Sequence, residues 1–312
     1  MCTRILWNDN PIATVAARSL DWAVDDEPDL WFLPRGLTRR GGPEETALEW
    51  TSRYASLAVS MWRLGAIDGV NEKGLVAHAL YLDGAGYEAE DDRPTVANRM
   101  WAQWVIDNFA SVAEVVEHLH DVRISSPDMR GQQMGAHLAV EDATGDSAII
   151  EPIDGRLVVH HGPEYRVMAN APHLSAHLEN LRQYEPFGGT RTPPGDISSA
   201  DRFVRANYFL HYLPEPEDYT EAVAGVLGLI RNVAVPYGAP YANNGGVYPT
   251  WWESVTDATN RTYYFSSTRS PSIFWVRLDE LVDGDAVLQL DPRDPALVGD
   301  VTGLLEPAAL PF

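Results

Sequence analysis

The order of strand-like and helix-like segments constrains the fold of this chain more than any other sequence feature. Strand patterns fill the beginning, helical periodicities follow, and the chain continues as strands, helices and strands again. No Pro/Gly/Ser-rich linker separates these blocks, and no repeat with a period of about 20–50 residues is present. The sequence therefore predicts a single domain over residues 1–312 of class α+β, in which two antiparallel sheets are flanked by helices as a four-layer αββα sandwich.

The predicted strands are short segments rich in β-branched and aromatic residues, bounded by Asn, Pro, Gly or Asp. They read CTRILW, IATVAARSLDW, DLWFLPRG, SLAVSMWRL and GLVAHALYL, then HLAVED, SAIIEP, RLVVHH and YRVMAN, and finally WWESVTD, RTYYFSST and SIFWVRLDEL. A turn at 143–146 joins HLAVED to SAIIEP, and a hairpin turn at 258–260 joins WWESVTD to RTYYFSST.

The predicted helices are segments whose apolar residues recur every three or four positions. This spacing predicts one long core-facing helix from the region of Thr95 to Leu119, and further helices at HLSAHLENLRQY, SSADRFVRANYFLHYL and DYTEAVAGVLGLIRNV. Ser198 and Asp201 have the spacing of a capping box, which predicts where the third of these helices begins. Residues 187–199, FGGTRTPPGDISS, are predicted to form a loop.

Charge and cysteine content exclude several classes of partner. With 45 Asp and Glu against 23 Lys and Arg, the net charge of −22 repels phosphate backbones, so nucleic acid is excluded as a partner. No apolar run reaches the roughly 18 residues that a membrane span needs. A single cysteine forms no internal disulfide, so we interpret the chain as cytoplasmic, with a periplasmic location open if a signal peptide was removed beforehand.

The only cysteine is the second residue of the chain. Removal of Met1 would give Cys2 both a thiol and a free α-amine, whose reference pKa of about 7.7–8.0 suits a local base. A reactive thiolate also needs positive charge nearby, which the stretch AARSLDW offers through Arg18, together with Asp21 to hold the amine. Residue types alone leave open a buried inert thiol and a solvated Arg–Asp pair.

Eight segments occurring in one order along the chain carry a resemblance to a known family. They are MCTRILW, ARSLDW, FLPRG, DGVNEKGL, VMANAPHLSAHLENLRQY, PPGDISSADRFVRANYFL, IRNVAVPYG and RTYYFSST. Together they resemble the choloylglycine hydrolase family, which contains conjugated bile acid hydrolases and penicillin V acylases within the N-terminal nucleophile (Ntn) hydrolases. The resemblance covers nearly the whole chain and implies the αββα Ntn-hydrolase fold, no cofactor, and assembly as a homo-oligomer, either dimer or tetramer.

The resemblance also implies roles for the residues around the cysteine. Cys2 matches the family's nucleophile, exposed by loss of Met1. Arg18 matches the residue that stabilises the thiolate, and Asp21 the residue that orients the amine. If Asp21 faces the thiol, Leu20 and Trp22 on either side of it are expected to line the substrate pocket.

Three further positions match the family's site in the same way. Asn170 matches the asparagine whose side-chain amide helps to form the oxyanion hole, and the backbone N–H of Tyr81 matches the second oxyanion donor. Arg202 matches the active-site arginine, whereas Arg205, three residues later on the predicted helix, is expected to meet solvent. Tyr81 is also expected to bind substrate.

The identity of position 81 and the short interval between Asn170 and Arg202 bear on the substrate. Typical bile acid hydrolases have asparagine where this chain has Tyr81, and classical penicillin V acylases have tyrosine. The interval and the segment NRMWAQWVIDNF resemble the branch known largely from Gram-negative bacteria. The implied function is hydrolysis of an amide C–N bond through an acyl-thioester, as in penicillin V or N-acyl homoserine lactone acylases. Conjugated bile acid hydrolysis, acyl transfer to an amine and a non-catalytic acyl-binding role remain alternatives.

Other motifs are set aside. His173 and His177 lie one helical turn apart and His160-His161 precede them, but no third ligand or supporting group is indicated, so a surface pair and no metal site are predicted. The acidic stretch DDEPD at 25–29 lacks the spacing of a calcium loop and is predicted to be solvated. Neither G-x-S-x-G nor a phosphate-binding glycine motif is present.

Overall fold

The structure is a computed structural model that describes residues 1–128, 133–238, 240 and 246–312. Its centre contains a seven-stranded sheet, mostly antiparallel, of strand order β14-β1-β2-β15-β16-β17-β19. In that order the strands are Val167–Ala169, Cys2–Trp7, Val15–Asp21, Thr250–Asp257, Thr262–Ser267, Phe274–Arg277 and Gly299–Asp300. The strand that begins with the cysteine is therefore paired on both sides.

A nine-stranded antiparallel sheet has the order β13-β12-β11-β8-β7-β6-β3-β18-β20. Its strands are Arg156–His161, Ser147–Ile153, Ala136–Glu141, Val76–Tyr81, Ala66–Asn71, Ser56–Ser60, Asp29–Leu33, Leu288–Leu290 and Glu306–Pro307. Two short pairs lie outside the large sheets: β4 Thr38–Arg40 with β5 Glu49–Thr51, and β9 Thr95–Ala97 with β10 Arg123–Ser125. The inner faces of the two large sheets share one apolar core, which includes Leu20, Leu57 and Val70.

Helices cover both outer faces. The described helices are α1 Asn98–Asn108, α2 Val112–His118, α3 Leu174–Leu181, α4 Ser199–His211 and α5 Tyr219–Asn232, with short 3₁₀ turns at Leu119–Asp121, Leu278–Glu280 and Thr302–Leu304. Helix α1 packs on β7 and β8, whereas α4 and α5 pack on the strands around β1 and β2. The predicted αββα architecture of class α+β is confirmed. In the part of the chain that the structure describes, no helix is long and apolar enough to cross a membrane.

The predicted turns and the loop are confirmed. Residues 143–146 connect β11 to β12, and 258–260 lie in the hairpin between β15 and β16. The Ser198 side chain accepts a hydrogen bond from the N–H of Asp201 and caps α4. Residues 187–198 contain no helix or strand, so the chain reaches α4 through the expected loop.

Two sequence predictions are wrong at the level of local structure. The long helix is interrupted at Phe109, and α2 begins after Ser111, whose side chain accepts from the N–H of Glu114, while the Glu114 carboxylate accepts from Ala110 N–H. This is a capping box, which satisfies donors at a helix start that the apolar periodicity alone does not show. The acidic stretch 25–29 is not fully solvated, because Asp26 is completely buried and accepts from Trp252 Nε1 at 2.9 Å. Burial raises the pKa of Asp26 to about 7.

Candidate active site

The register of three neighbouring strands brings the predicted site residues to one end of the seven-stranded sheet. Cys2 begins β1 and pairs with Leu20 on β2, while β14 on the other side of β1 leads directly into Asn170. Arg4 bonds to Glu141 of β11 and therefore projects toward the nine-stranded sheet. Cys2 and Arg18 project the same way, because side chains two apart on a strand share a face and Arg18 is paired with Arg4 across the two strands. Strands thus fix the main-chain positions of the site.

Arg18 lies directly against the cysteine. Its Nη2 is 3.4 Å from Cys2 Sγ, and its Nη1 donates to Ile67 O at 3.1 Å. The guanidinium also stacks over the Trp252 ring, 4.8 Å from the ring centroid. Both Cys2 and Arg18 are buried, so the attraction between a thiolate and this cation is weakly screened.

Asn170 and Tyr81 meet beside the cysteine. The Asn170 Oδ1 accepts from the N–H of Cys2 and, at 2.9 Å, from Arg202 Nη2, which fixes the orientation of the amide. Its Nδ2 donates to Tyr81 O at 2.6 Å, which uses one of the two amide hydrogens. The other hydrogen is available to a substrate oxygen.

The Tyr81 N–H faces the same side as Asn170. Tyr81 pairs with Ala136 of β11, but the N–H and the C=O of Ala136 both bond to the Tyr87 hydroxyl and not to Tyr81. In the next pair along the ladder, the Leu82 N–H donates to Gly135 O. Because hydrogen-bonded and non-hydrogen-bonded pairs alternate in an antiparallel ladder, the N–H and C=O of Tyr81 point away from β11. They point toward Asn170, whose Nδ2 donates to the carbonyl oxygen of Tyr81.

Asp21 and Arg202 complete the polar side of the site. The Asp21 Oδ1 accepts from Thr250 Oγ1 at 2.6 Å, whereas its Oδ2 is buried without a hydrogen bond and lies 3.6 Å from Arg202 Nη1. Arg202, fully buried in the first turn of α4, donates to Cys2 O at 2.6 Å and to the Thr3 hydroxyl. The arginine therefore ties the first residues of β1 to α4.

Met1 extends β1 by one residue. Its α-amine donates to Asp21 O, and its carbonyl accepts from the N–H of Asp21 at 2.7 Å. Burial lowers the pKa of the Met1 α-amine. While Met1 is attached, the Cys2 nitrogen is an amide and has no basic lone pair.

A chain of buried charged side chains lies behind Arg18, and no sequence motif indicated it. The His78 ring bonds to Asp68 through Nδ1 and lies 2.7 Å from Glu141 Oε1 through Nε2, while Arg4 donates to Glu141 Oε2. Asp68 directly follows Ile67, whose carbonyl binds Arg18. Burial alone lowers the pKa of His78, but the charges of Glu141 and Asp68 outweigh it and raise the pKa to about 9.

Cys2 and Arg18 border a cavity, whereas Asp21, Asn170 and Arg202 lie beside them and are not among its described lining residues. The predicted substrate-binding residues Leu20, Trp22 and Tyr81 line it together with Cys2 and Arg18. The rings of Trp22 and Tyr81 meet edge to face with centroids 5.3 Å apart. No sequence signal indicated several further lining residues, which come from the loop after β6, from the start of α1 and from the segment before β11: Met61, Leu64, Asn98, Arg99 and Met134.

Two expectations about surface residues, Arg205 and His177, are corrected. Arg205 is buried and donates to Pro194 O at 3.3 Å and to Asp196 O, so it holds the loop before α4. His177 is also buried, and its Nε2 lies 2.8 Å from Asn170 O, so it contacts Asn170 instead of forming a surface pair with His173. Ser199 Oγ donates to the same carbonyl at 2.8 Å.

Metal binding has no support in the described part of the chain, where no group of three or more His, Cys, Asp or Glu side chains is arranged to hold an ion. The histidines at 137, 160 and 173 surround the buried Glu151 at 3.4–3.7 Å. Burial opposes ionisation of Glu151, but the contacts with His137 and His160 outweigh it and lower the pKa of the carboxyl. The Leu174 N–H also donates to Glu151, which places this cluster under the start of α3.

Comparison with known proteins gives consistent matches. The model of the family described as linear amide C–N hydrolases, choloylglycine hydrolase family, matches residues 2–286. Penicillin V acylase of Pectobacterium atrosepticum is 36% identical, with 98% of this chain and 90% of that protein covered. Bile salt hydrolase/transferase of Bifidobacterium longum subsp. longum is 28% identical, with 88% and 94% covered.

Solved structures extend these similarities to the fold. The structure of penicillin V acylase from Agrobacterium tumefaciens matches with a TM-score of 0.89 and 35% identity, covering 100% of this chain and 98% of that one. A variant of the conjugated bile acid hydrolase from Clostridium perfringens matches with a TM-score of 0.81 and 22% identity, covering 93% and 96%. The second match shows likeness of fold alone.

Proposed function

Because this chain belongs to the choloylglycine hydrolase family and is a hydrolase of linear amide C–N bonds, we propose that it is an N-terminal cysteine amidase with Cys2 as its nucleophile. The observation that carries the proposal is the contact of 3.4 Å between Arg18 Nη2 and Cys2 Sγ. Both groups are buried and border the same cavity. A cation held against a thiol beside a cavity favours the thiolate, which is the nucleophilic form.

Removal of Met1 activates the site in this proposal. It converts the Cys2 amide nitrogen into an α-amine, which accepts the thiol proton directly or through a water molecule. The buried Asp21 Oδ2, which makes no hydrogen bond, supplies an acceptor for the resulting ammonium group. The Met1 backbone also bonds to both the C=O and the N–H of Asp21, so removal of Met1 leaves these two groups accessible to the new N-terminus.

The reaction then proceeds in two steps. The Cys2 thiolate attacks the amide carbon, and the oxyanion receives hydrogen bonds from Asn170 Nδ2 and the Tyr81 N–H. The C–N bond breaks as the leaving amine takes the proton held by the Cys2 ammonium, which leaves an acyl-thioester. Water attacks this thioester with the amine as base, so that the acid is released and the thiol is restored.

Mass spectrometry tests the nucleophile. The mature protein is expected to begin at Cys2, and brief incubation with an amide substrate followed by acid quenching is expected to add the mass of one acyl group to the N-terminal peptide. The Cys2→Ala variant is the control and carries no adduct. An active enzyme that retains Met1, or an adduct on another residue, contradicts the proposal.

Mutation of Asn170 tests the oxyanion assignment. Removing one oxyanion donor lowers turnover by roughly 10²–10³ in comparable sites, so Asn170→Ala is expected to lower kcat in that range. Because Asn170 Oδ1 also binds Arg202 and the Cys2 N–H, Asn170→Asp is the matched variant: it keeps both acceptor contacts and removes the donor. Unchanged turnover in both variants would remove Asn170 from the mechanism.

We propose the penicillin V and N-acyl homoserine lactone type of amide as the substrate class. Tyr81 at the cavity and the similarity to two penicillin V acylases support this proposal. Similarity to bile salt hydrolases supplies the competing candidate. Steady-state kcat/KM values for penicillin V, an acyl homoserine lactone and a glycine- or taurine-conjugated bile acid, measured side by side, separate them, and a large preference for the bile acid overturns the proposal.

A further inference from the structure

Arg99 is the second residue of α1 and lines the same cavity as Cys2. Apart from Cys2, Arg18, Asn98 and Tyr81, the other described lining residues are apolar or glycine, and no carboxylate lies among them. The side chain of Asn98 is already used, because its Nδ2 donates to Tyr87 OH and Met134 O. Arg99 is therefore the cation of this cavity that remains to be explained once Arg18 is assigned to Cys2.

The guanidinium of Arg99 has no partner in the part of the chain that the structure describes. Its Nε is buried without a hydrogen bond, and its other nitrogens make neither a hydrogen bond nor an ion pair with any described residue. Arg18, in the same cavity, bonds to Cys2 Sγ and Ile67 O. The guanidinium is half-buried beside apolar walls, where an anion is attracted to it more strongly than in bulk water.

The chemistry of guanidinium selects the anion. Its planar donors match a carboxylate or sulfonate, and a charge-assisted hydrogen bond contributes about 1.5–3 kcal/mol when the surroundings are dry. We infer that Arg99 is a specificity-determining residue that binds an acid group of the substrate. The inference rests on the proposed function and deepens it, because it restricts the substrate class to amides that carry an acid.

This restriction divides the candidate amides. Penicillin V carries a carboxylate and the conjugated bile acids carry a carboxylate or sulfonate, in both cases on the amine half of the molecule. An N-acyl homoserine lactone is neutral. Arg99 therefore predicts a preference for the acidic amides over the lactone, a distinction that the identity of residue 81 does not make.

A pair of substrates that differ only in charge tests the inference: penicillin V and its methyl ester. For the unmodified enzyme, kcat/KM is expected to be about 10- to 100-fold higher for the acid than for the ester. Arg99→Gln is expected to bring this ratio close to one, because KM rises far more for the acid than for the ester. Arg99→Lys keeps the charge without the planar fork and is expected to restore part of the ratio.

The matched control is Arg53→Gln. Arg53 lies after β5, is exposed and donates to Asn108 O at the C-terminal end of α1, so this control removes one arginine charge that contacts the same helix without reaching the cavity. An acid-to-ester ratio near one in the unmodified enzyme, or a ratio that survives in Arg99→Gln, overturns the inference. If the unmodified enzyme hydrolyses neither compound nor any other amide, the proposed function itself fails. Hydrolysis of both with an equal loss in Arg99→Gln removes only the role of Arg99.

Discussion

The cavity beside Cys2 has two walls that are built in different ways. We define the polar wall as Cys2 and Arg18, which line the cavity, together with the buried neighbours Asp21, Asn170 and Arg202, which do not line it, and the apolar wall as Leu20, Trp22, Met61, Leu64 and Tyr81. Side chains of the polar wall are at most 5% exposed and are joined by hydrogen bonds to one another or to strand backbone. The apolar wall is mostly half-buried and is held by packing.

This difference predicts that the polar wall serves the reaction and that the apolar wall serves substrate recognition. Each change in the polar wall leaves a buried donor, acceptor or charge without its partner, which costs more than the bond itself contributed. A change in the apolar wall alters contact area and shape, with smaller and graded effects. We therefore expect substitutions in the polar wall to act on kcat or on folding, and substitutions in the apolar wall to act on KM.

Replacing Cys2 is expected to give the largest effect. Cys2→Ala removes the nucleophile and should lower turnover by roughly 10⁴-fold or more, as loss of the nucleophile does in other acyl-transfer enzymes. Substrate binding, measured by calorimetry, should change less than about threefold, because the apolar wall is untouched. Loss of binding together with turnover would show that the two walls do not act separately.

The buried charged side chains behind Arg18, which include His78, predict that the stability of the folded protein depends on pH. The pKa of His78 is raised to about 9 from a reference near 6.5, so its ion pairs stabilise the folded protein fully below about pH 6.5 and the contribution is lost as the pH rises through 9. His78→Gln is expected to lower the free energy of unfolding by about 2–3 kcal/mol at pH 6. The deficit should shrink at pH 9.5.

Urea denaturation at both pH values measures this difference. His118→Gln is the matched control, because His118 is exposed and its bond to Asp121 lies at the surface. A deficit of equal size at pH 6 and pH 9.5 would contradict the charged state of His78 and leave a purely steric role.

Trp22→Ala is expected to have an intermediate effect that falls on recognition. The edge-to-face contact with Tyr81 and the area of the indole are lost, and aromatic contacts of this kind contribute about 0.5–1.5 kcal/mol beyond burial. KM should therefore rise roughly tenfold, with kcat changed less than about threefold. Trp275→Ala, in a separate groove beside α5, is the control. A fall in kcat with unchanged KM would place Trp22 in the chemistry.

The sequence predicted the two walls to different extents. Cys2, Arg18 and Asp21 lie on two segments whose strand pattern is clear, but residue types alone left open an inert buried thiol and a solvated Arg18–Asp21 pair, so their roles too were implied by the family resemblance. Asn170 and Arg202 are far along the chain and were identified only through the family resemblance. Of the apolar wall, Leu20 and Trp22 followed from their position beside Asp21.

Residues that enter the site through packing gave no such signal. Met61 lies in the loop after β6, and Arg99 lies in the first turn of α1. The packing of α1 on β7 and β8 decides which residues of these segments face the cavity. His78 lies within an otherwise apolar strand, and its partner Glu141 is on β11, so only strand order reveals the buried charge chain. The break between α1 and α2 was readable from the Ser111–Glu114 spacing, which the stronger apolar periodicity concealed.

The smallest effect is expected at Tyr81, the residue that we assign to both the reaction and substrate recognition. In the proposed mechanism, Tyr81 supplies its backbone N–H to the oxyanion and its ring to the apolar wall, whereas its hydroxyl makes an exposed contact with Asp83 at 3.4 Å. Tyr81→Phe keeps the N–H and the ring, so kcat and KM should each change less than about twofold. Tyr81→Ala keeps only the N–H and should resemble Trp22→Ala, with KM raised and kcat retained. If Tyr81→Phe lowers kcat tenfold, the hydroxyl takes part in the reaction, and the separation of the two walls breaks at the one residue where they meet.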